Sequence, residues 1–212
     1  MNKKQLYKFE EDIVDIYKQG LLRSPIHLSG SVDGKLEDFL IKLFKEIKPN
    51  DWVFSTYRSH YHALLKGVKP EWLKEWILKN KSIHVMNKEH KIVTSAIVGG
   101  CLPIALGTAL AIKLKGGKDK VWVFCGDMTS ETGGFSEVFK YATNYDLPIT
   151  FVIEDNGLST DTITKEVWNN KYDMNVKLPH IKYIKYKRRW PHYGVGIFVD
   201  FKDEGLKQDG KF

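Results

Sequence analysis

The chain has 212 residues, 42% of them hydrophobic and 13% aromatic, enough for one core in a single domain spanning residues 1–212. Its apolar stretches, residues 101–112 among them, are too short and too rich in Gly and Ala to cross a bilayer, and residues 1–12 carry no apolar leader segment, so a cytoplasmic protein with no membrane partner is expected. A formal charge of +7 invites a nucleic-acid reading, but only Arg23, Arg58, Arg188 and Arg189 among the 33 basic residues are arginine, and the scattered lysines describe a solvated surface with no nucleic-acid partner.

Residues 3–19 repeat with helical period, Leu6, Phe9, Ile13, Val14 and Tyr17 falling on one side. Residues 36–48 form a second amphipathic pattern that stops near Pro49, because the residue before a proline is pushed out of the helical region. Pro70 opens a third helix, at a position where its missing N–H is harmless. Residues 100–115 read as a helix of small residues ending at Gly116-Gly117. A short, continuously apolar strand follows at 121–125, a helix at 133–145, a second apolar strand at 149–153, and a final strand at 182–187. Cys101 and Cys125 both lie in apolar runs, which reads as buried free thiols, and no Cys/His spacing fits a zinc site. Helices alternating with strands that are apolar on both faces predict an α/β fold: a mostly parallel sheet with helices on both faces.

Ligands of such sheets gather at the carboxyl ends of the strands. Both apolar strands run into polar residues there, Gly126-Asp127 after the first and Glu154-Asp155-Asn156 after the second. If the two strands are neighbours, the side-chain oxygens of Asp127 and Asn156 converge on one point. A carboxylate, an amide oxygen and a backbone carbonyl make a hard oxygen set suited to Mg²⁺, which fills its remaining positions with phosphate oxygens and water. Gly126, Gly133 and Gly134 let backbone approach a ligand, and a helix beginning there offers N–H groups to an anion. The plainer alternatives are an aspartate that only caps a helix and an Asn156-Gly157 pair that only turns the chain.

Gly126-Asp127-Met128 followed by Asn156-Gly157-Leu158 resembles the Gly-Asp-Gly…Asn signature of thiamine diphosphate enzymes. The segments from Thr132 to Ala142 and from Asp146 to Asn156 are similar to the alpha subunits of 2-oxoacid dehydrogenase E1 components, and the Glu-Asp-Asn end also resembles transketolases. Upstream, Ile97-Val98-Gly99-Gly100 with Pro103 and Gly107 resembles the aminopyrimidine-contacting segment, and Tyr57-Arg58-Ser59-His60 the diphosphate-binding Tyr-Arg-x-His. Ile26-His27-Leu28-Ser29-Gly30 resembles the early histidine motif and Ser82-Ile83-His84-Val85-Met86 the Ser-Met-His stretch, so the likeness runs in order through residues 5–165.

This resemblance implies a thiamine diphosphate-binding fold that carries the diphosphate-binding domain alone, with thiamine diphosphate and Mg²⁺ as cofactors. It implies Asp127 and Asn156 as side-chain metal ligands and Leu158 as a carbonyl ligand; Tyr57, Arg58 and His60 at the diphosphate, with Gly126, Asp127, Met128 and Thr129 around it; and Ala96 and Val98 at the pyrimidine through backbone groups. His27, His60, His84 and His192 would face the reacting carbon, His192 lying in Arg189-Trp190-Pro191-His192-Tyr193-Gly194, which resembles the family's Tyr-His-Gly-His loop. Met128 stands where the family mostly has glycine, and the chain is shorter after Thr160, without the helical insert before the last strand. With no second α/β domain to carry the activating glutamate, the implied assembly is an α2β2 heterotetramer with a separate pyrimidine-binding subunit, acting on a small carbonyl substrate. The implied chemistry is cleavage or formation of a C–C bond beside a carbonyl, E1-like on a 2-oxo acid. A transketolase-type carboligase and a non-catalytic module with a degenerate site are the alternatives, while no Gly-x-Gly-x-x-Gly after a strand supports a nicotinamide enzyme.

Overall fold

In the computed structural model, which describes residues 1–169 and 180–192, the first helix, α1 (Lys3–Lys18), starts on a reciprocal cap. The Asn2 side chain accepts the Gln5 N–H at 3.0 Å and the Gln5 side chain accepts the Asn2 N–H at 2.8 Å, satisfying two N–H groups that a helix start leaves unpaired. Leu6, Phe9, Ile13 and Val14 are buried as their spacing predicts, and Glu10 is buried with them. Helix α2 (Lys35–Leu43) is shorter than the predicted 36–48. The chain leaves it through i→i−3 bonds from Lys45 and Glu46, yet Phe44 and Ile47 stay buried, so the apolar pattern outlasts the helix that it was read from.

Next come β1 (Trp52–Ser55), α3 (His60–Leu65), α4 (Pro70–Leu78, with its proline in the first turn), β2 (Met86–Asn87) and β3 (Ile92–Thr94). In the second half, α5 (Cys101–Leu114), β4 (Val121–Gly126), α7 (Gly133–Asn144), β5 (Ile149–Asp155) and β8 (Ile181–Lys185) follow the predicted order, and the short elements α6 (Asp127–Ser130), β6 (Leu158–Ser159), β7 (Thr162–Ile163) and α8 (Thr164–Val167) come in addition to it. Among the described residues, no helix is long and apolar enough to cross a membrane.

The main sheet runs β2-β3-β1-β4-β5-β8, parallel except for β2. Side chains alternate across it, so each strand feeds two cores. Val53, Trp122, Phe124 and Val152 pack under residues of α1 to α4 on one face, and Phe54, Val121, Val123, Cys125, Phe151 and Ile153 pack under α5 and α7 on the other. Helices therefore cover both faces, and both cysteines are buried and free. From β1 the chain crosses to β3 on one side, then returns to β4 on the other side of β1. The connections diverge at that switch point, which opens a crevice above the carboxyl ends of β1 and β4.

Helix α5 is apolar on every side, but one stripe has no cover among the described residues. Cys101, Leu102, Ala105 and Ala109 face the core, whereas Ile104, Gly107, Ala111 and Leu114 are exposed, Leu114 at 78%. A Cβ added at Gly107 would meet nothing within 4 Å.

Candidate functional site

The cleft at the switch point draws residues from the end of every parallel strand. Thr56, Tyr57 and Arg58 follow β1, Ile97 and Val98 follow β3, and Gly126 to Thr129 end β4 and form α6. Glu154, Asn156 and Leu158 to Thr160 come from β5 and beyond it, and Tyr186 and Arg188 follow β8. Strands β4 and β5 are direct neighbours, Gly126 pairing with Glu154, so Asp127 and Asn156 leave the sheet side by side. Of the residues expected at the cofactor, Tyr57, Arg58, Val98, Gly126, Asp127, Met128, Thr129, Asn156 and Leu158 line this one cleft, and Ala96 and His60 do not.

Asp127 is 8% exposed, and its Oδ2 is buried without a hydrogen-bond partner. Burial raises its pKa to about 6, and the nearby Thr164 hydroxyl and the backbone N–H groups of Asp127 and Asn156 offset that rise only in part. Asn156 Oδ1 accepts the Leu158 N–H at 2.9 Å, and its amide donates to the Tyr186 hydroxyl at 3.4 Å. The Thr164 N–H donates to the Gly157 carbonyl, which makes Leu158 and Ile163 a non-hydrogen-bonded pair of the β6–β7 ribbon, so the Leu158 carbonyl points out of that ladder. Among the described residues no three His, Cys, Asp or Glu side chains gather as a metal cluster. A cation at Asp127 would have to complete its shell with amide, carbonyl and ligand oxygens. At Gly126, φ is −83° and an added Cβ would meet no protein atom within 4 Å, so neither backbone strain nor protein packing requires glycine there.

Across the cleft, Arg58 is 8% exposed and has no carboxylate in ion-pair range among the described residues. Its Nη1 donates to the Leu28 carbonyl and its Nη2 lies 3.5 Å from His192 Nδ1. A buried cation without a counter-charge is costly, and an anionic ligand would offset that cost. Arg188, which the sequence reading did not single out, is a second buried guanidinium in the cleft. Its Nη1 donates to the Thr160 carbonyl at 2.7 Å, its Nη2 pairs with Asp161 at 2.5 Å, and its Nε is buried without a partner. The available signal was composition: two of only four arginines in a lysine-rich chain enter one cleft.

Three rings cluster beside the cleft, of which Tyr57 lines it and His27 and His192 do not. His27 lies 4.5 Å from Tyr57 and 4.5 Å from His192 between ring centroids, and Tyr57 lies 6.0 Å from His192. Burial, reinforced by the Arg58 charge, pushes His27 down to about 2 and His192 to about 4, so both are neutral near pH 7. His60 is fully buried behind them, its Nε2 3.0 Å from Ser82 Oγ, and burial holds it at about 4. His84 stands apart from the cluster: it is exposed, ahead of β2, its carbonyl accepting from Trp76. A histidine the sequence reading passed over, His62, lies between Ser55 Oγ at 2.7 Å and the cleft residue Glu154 at 2.9 Å, stacked on Phe124. Met128 packs outward against Trp168, whose Nε1 lies 2.9 Å from its sulfur, so the side chain found in place of the usual glycine has a neighbour of its own.

The sequence profile described as the dehydrogenase E1 component matches residues 28–182. The chain is similar to the chloroplastic pyruvate dehydrogenase E1 component subunit alpha-3 of Arabidopsis thaliana, 33% identical over 182 residues, covering 76% of this chain and 42% of that one. It is also similar to the alpha subunits of acetoin:2,6-dichlorophenolindophenol oxidoreductase from Cupriavidus necator, at 31% identity over 58% of this chain and 40% of the other, and from Bacillus subtilis, at 28% over 73% and 48%. The chain thus spans less than half the length of these curated relatives. With the profile matched over most of its length, the chain belongs to the dehydrogenase E1 component family.

Proposed function

We propose that this chain is the diphosphate-binding, alpha-type subunit of a thiamine diphosphate- and Mg²⁺-dependent enzyme acting on a 2-oxo acid. One observation carries the reading: a buried carboxylate that desolvation holds above its ordinary range and a buried guanidinium with no carboxylate in ion-pair range among the described residues line one cleft at the strand ends. A metal–diphosphate pair satisfies both at once. Asp127 and Asn156 would hold Mg²⁺ through side-chain oxygens and Leu158 through its carbonyl, with phosphate oxygens completing the shell. Tyr57 and Arg58 would hold the diphosphate, the open space beside Gly126 admitting it, and Ala96 and Val98 would meet the pyrimidine edge. Bound there, thiamine diphosphate supplies an electron sink for breaking a C–C bond beside a carbonyl. The neutral imidazoles of His27 and His192 would exchange hydrogen bonds with the substrate, and His60 would support them from behind; His84 would need a partner or substrate to reach it.

Replacing Arg58 by lysine tests the diphosphate contact. A point charge does not reproduce a planar fork, so Arg58→Lys is expected to weaken thiamine diphosphate binding by roughly 1–3 kcal/mol, about 5- to 150-fold, in a calorimetric titration. Affinity equal to wild type would return Arg58 to a structural role.

The same reading requires a second chain with a pyrimidine-binding domain, as in an α2β2 assembly, and the stripe of α5 left uncovered among the described residues would be a surface for it. A helix apolar all round is normally covered all round. Gly107→Leu is therefore expected to leave the melting temperature of the isolated chain nearly unchanged while weakening association with a pyrimidine-domain subunit by roughly tenfold or more. Carbon dioxide release from 2-oxo acids, measured with and without that subunit, tests the activity. Turnover by this chain alone, or a complex that binds the cofactor but releases no carbon dioxide, would sink it.

A further inference from the structure

Glu10 is a fully buried carboxylate on α1 that no step of the proposed chemistry uses. Its Oε1 accepts the Ser29 N–H, and the Gly30 N–H is shared between its oxygens at 3.1 and 3.2 Å. Its Oε2 also accepts the Tyr61 hydroxyl at 2.9 Å and the Trp190 indole N–H at 2.7 Å. Those donors belong to three segments distant in sequence. Ser29 and Gly30 follow His27, Tyr61 stands four residues beyond Tyr57, and Trp190 precedes His192 by two. The same three segments place His27, Tyr57 and His192 ring to ring, with Tyr57 lining the cleft.

The surroundings are fitted to this clamp. A Cβ at Gly30 would come within 2.6 Å of Glu10 Oε2 and 3.0 Å of Trp190 Nε1, so the loop approaches the carboxylate as closely as glycine permits. The Gly30 carbonyl in turn accepts the Arg189 N–H at 2.6 Å, joining two of the segments directly. A second buried carboxylate, Glu37 on α2, takes the next residue of the loop through the Ser31 N–H at 2.8 Å and hydroxyl at 2.5 Å. Burial raises the Glu10 carboxyl to about 7 against the pull of its donors, so desolvation consumes much of what those hydrogen bonds contribute. What such a group delivers is chiefly geometry.

We propose that Glu10 is a positioning residue, its carboxylate fixing the His27, Tyr57 and His192 rings relative to one another beside the cleft that Tyr57 lines. The proposal rests on the thiamine diphosphate reading for its catalytic consequence but not for its structural one. Glu10→Gln keeps the size, yet an amide nitrogen must then face at least one N–H or O–H donor. Amide hydrogen exchange in the isolated full chain is the first readout. Exchange at Ser29, Gly30 and Arg189 is expected to accelerate roughly tenfold or more, with the amides of β4 and β5 unchanged. In complex with the pyrimidine-domain subunit, the dissociation constant of thiamine diphosphate is expected to stay within about threefold and kcat to fall by about tenfold or more. Wild-type exchange at those three amides overturns the proposal, and so do equal losses in cofactor affinity and kcat, which describe general loosening. If wild-type chain binds no cofactor, the functional reading fails while the exchange result still decides the clamp. Should Glu10→Gln not fold, Trp190→Phe removes a single donor: faster exchange at Arg189 supports the proposal, and unchanged exchange there overturns it.

Discussion

The Asp127→Ala variant is expected to lose thiamine diphosphate binding in the presence of Mg²⁺ by on the order of a hundredfold or more, equivalent to about 3 kcal/mol, while keeping its fold. Asp127 is the only charged protein group proposed at the metal, and removing it leaves the dication tied to protein by neutral oxygens. Burial works against the Asp127 charge while the Thr164 hydroxyl and the Asp127 and Asn156 N–H groups favour it, so the melting temperature of the cofactor-free variant is expected to stay close to that of wild type. Calorimetric titration alongside thermal melting checks both halves. Near-normal affinity would remove Asp127 from the metal site, and an unfolded variant would show that the carboxylate is structural.

A second large effect concerns acid. His60 is neutral in the folded chain down to about pH 4, whereas an unfolded histidine takes up its proton near 6.5. Because the folded value is depressed, the stability tied to the neutral ring is fully present above pH 6.5 and is lost as the pH falls toward 4. The interval corresponds to about 3 kcal/mol. Total stability will not display this cleanly, because Glu10, at about 7, and Asp127, at about 6, run the other way. Their folded values are raised, so their contribution is present below the ordinary carboxylate range and disappears as the pH rises through those values. The informative quantity is the difference between wild type and His60→Gln in urea unfolding. Any advantage of wild type at pH 7 should shrink by about 3 kcal/mol at pH 4, and a difference that does not change with pH would mean that water reaches the ring.

What could be read in the sequence follows from how far apart the interacting residues are. Helices α1, α5 and α7 and strands β4 and β5 were legible because each carries a long apolar period or a continuous buried run within one window. Strands β1 and β3 have only four and three residues, too few to display any period, although they form one wall of the cleft. Asp127 and Asn156 could be paired in advance because consecutive strands of an α/β unit usually lie side by side, as β4 and β5 do. No local pattern announces that Glu154 pairs with a histidine 92 positions earlier. Nor does periodicity separate a buried Glu10 from its exposed neighbour Glu11, since a helix face with one acidic residue turned inward reads as ordinary amphipathicity. His84 was drawn toward the site by its motif, whereas the structure leaves it on the surface ahead of the antiparallel edge strand.

The hydrogen bond from Trp190 to Glu10 joins residues 180 positions apart, and the contact of Arg58 with His192 spans 134. Both contacts close very large loops, whose entropy must be met before either contact contributes anything. As the chain emerges from the ribosome, α1 and the β1–β4 core can assemble long before the segment around Trp190 exists. Through that interval Glu10 lacks one of its donors and the cleft lacks one wall. The rings of His27, Tyr57 and His192 come together only when the segment around Trp190 arrives, so during synthesis the site is completed after the sheet core that carries it.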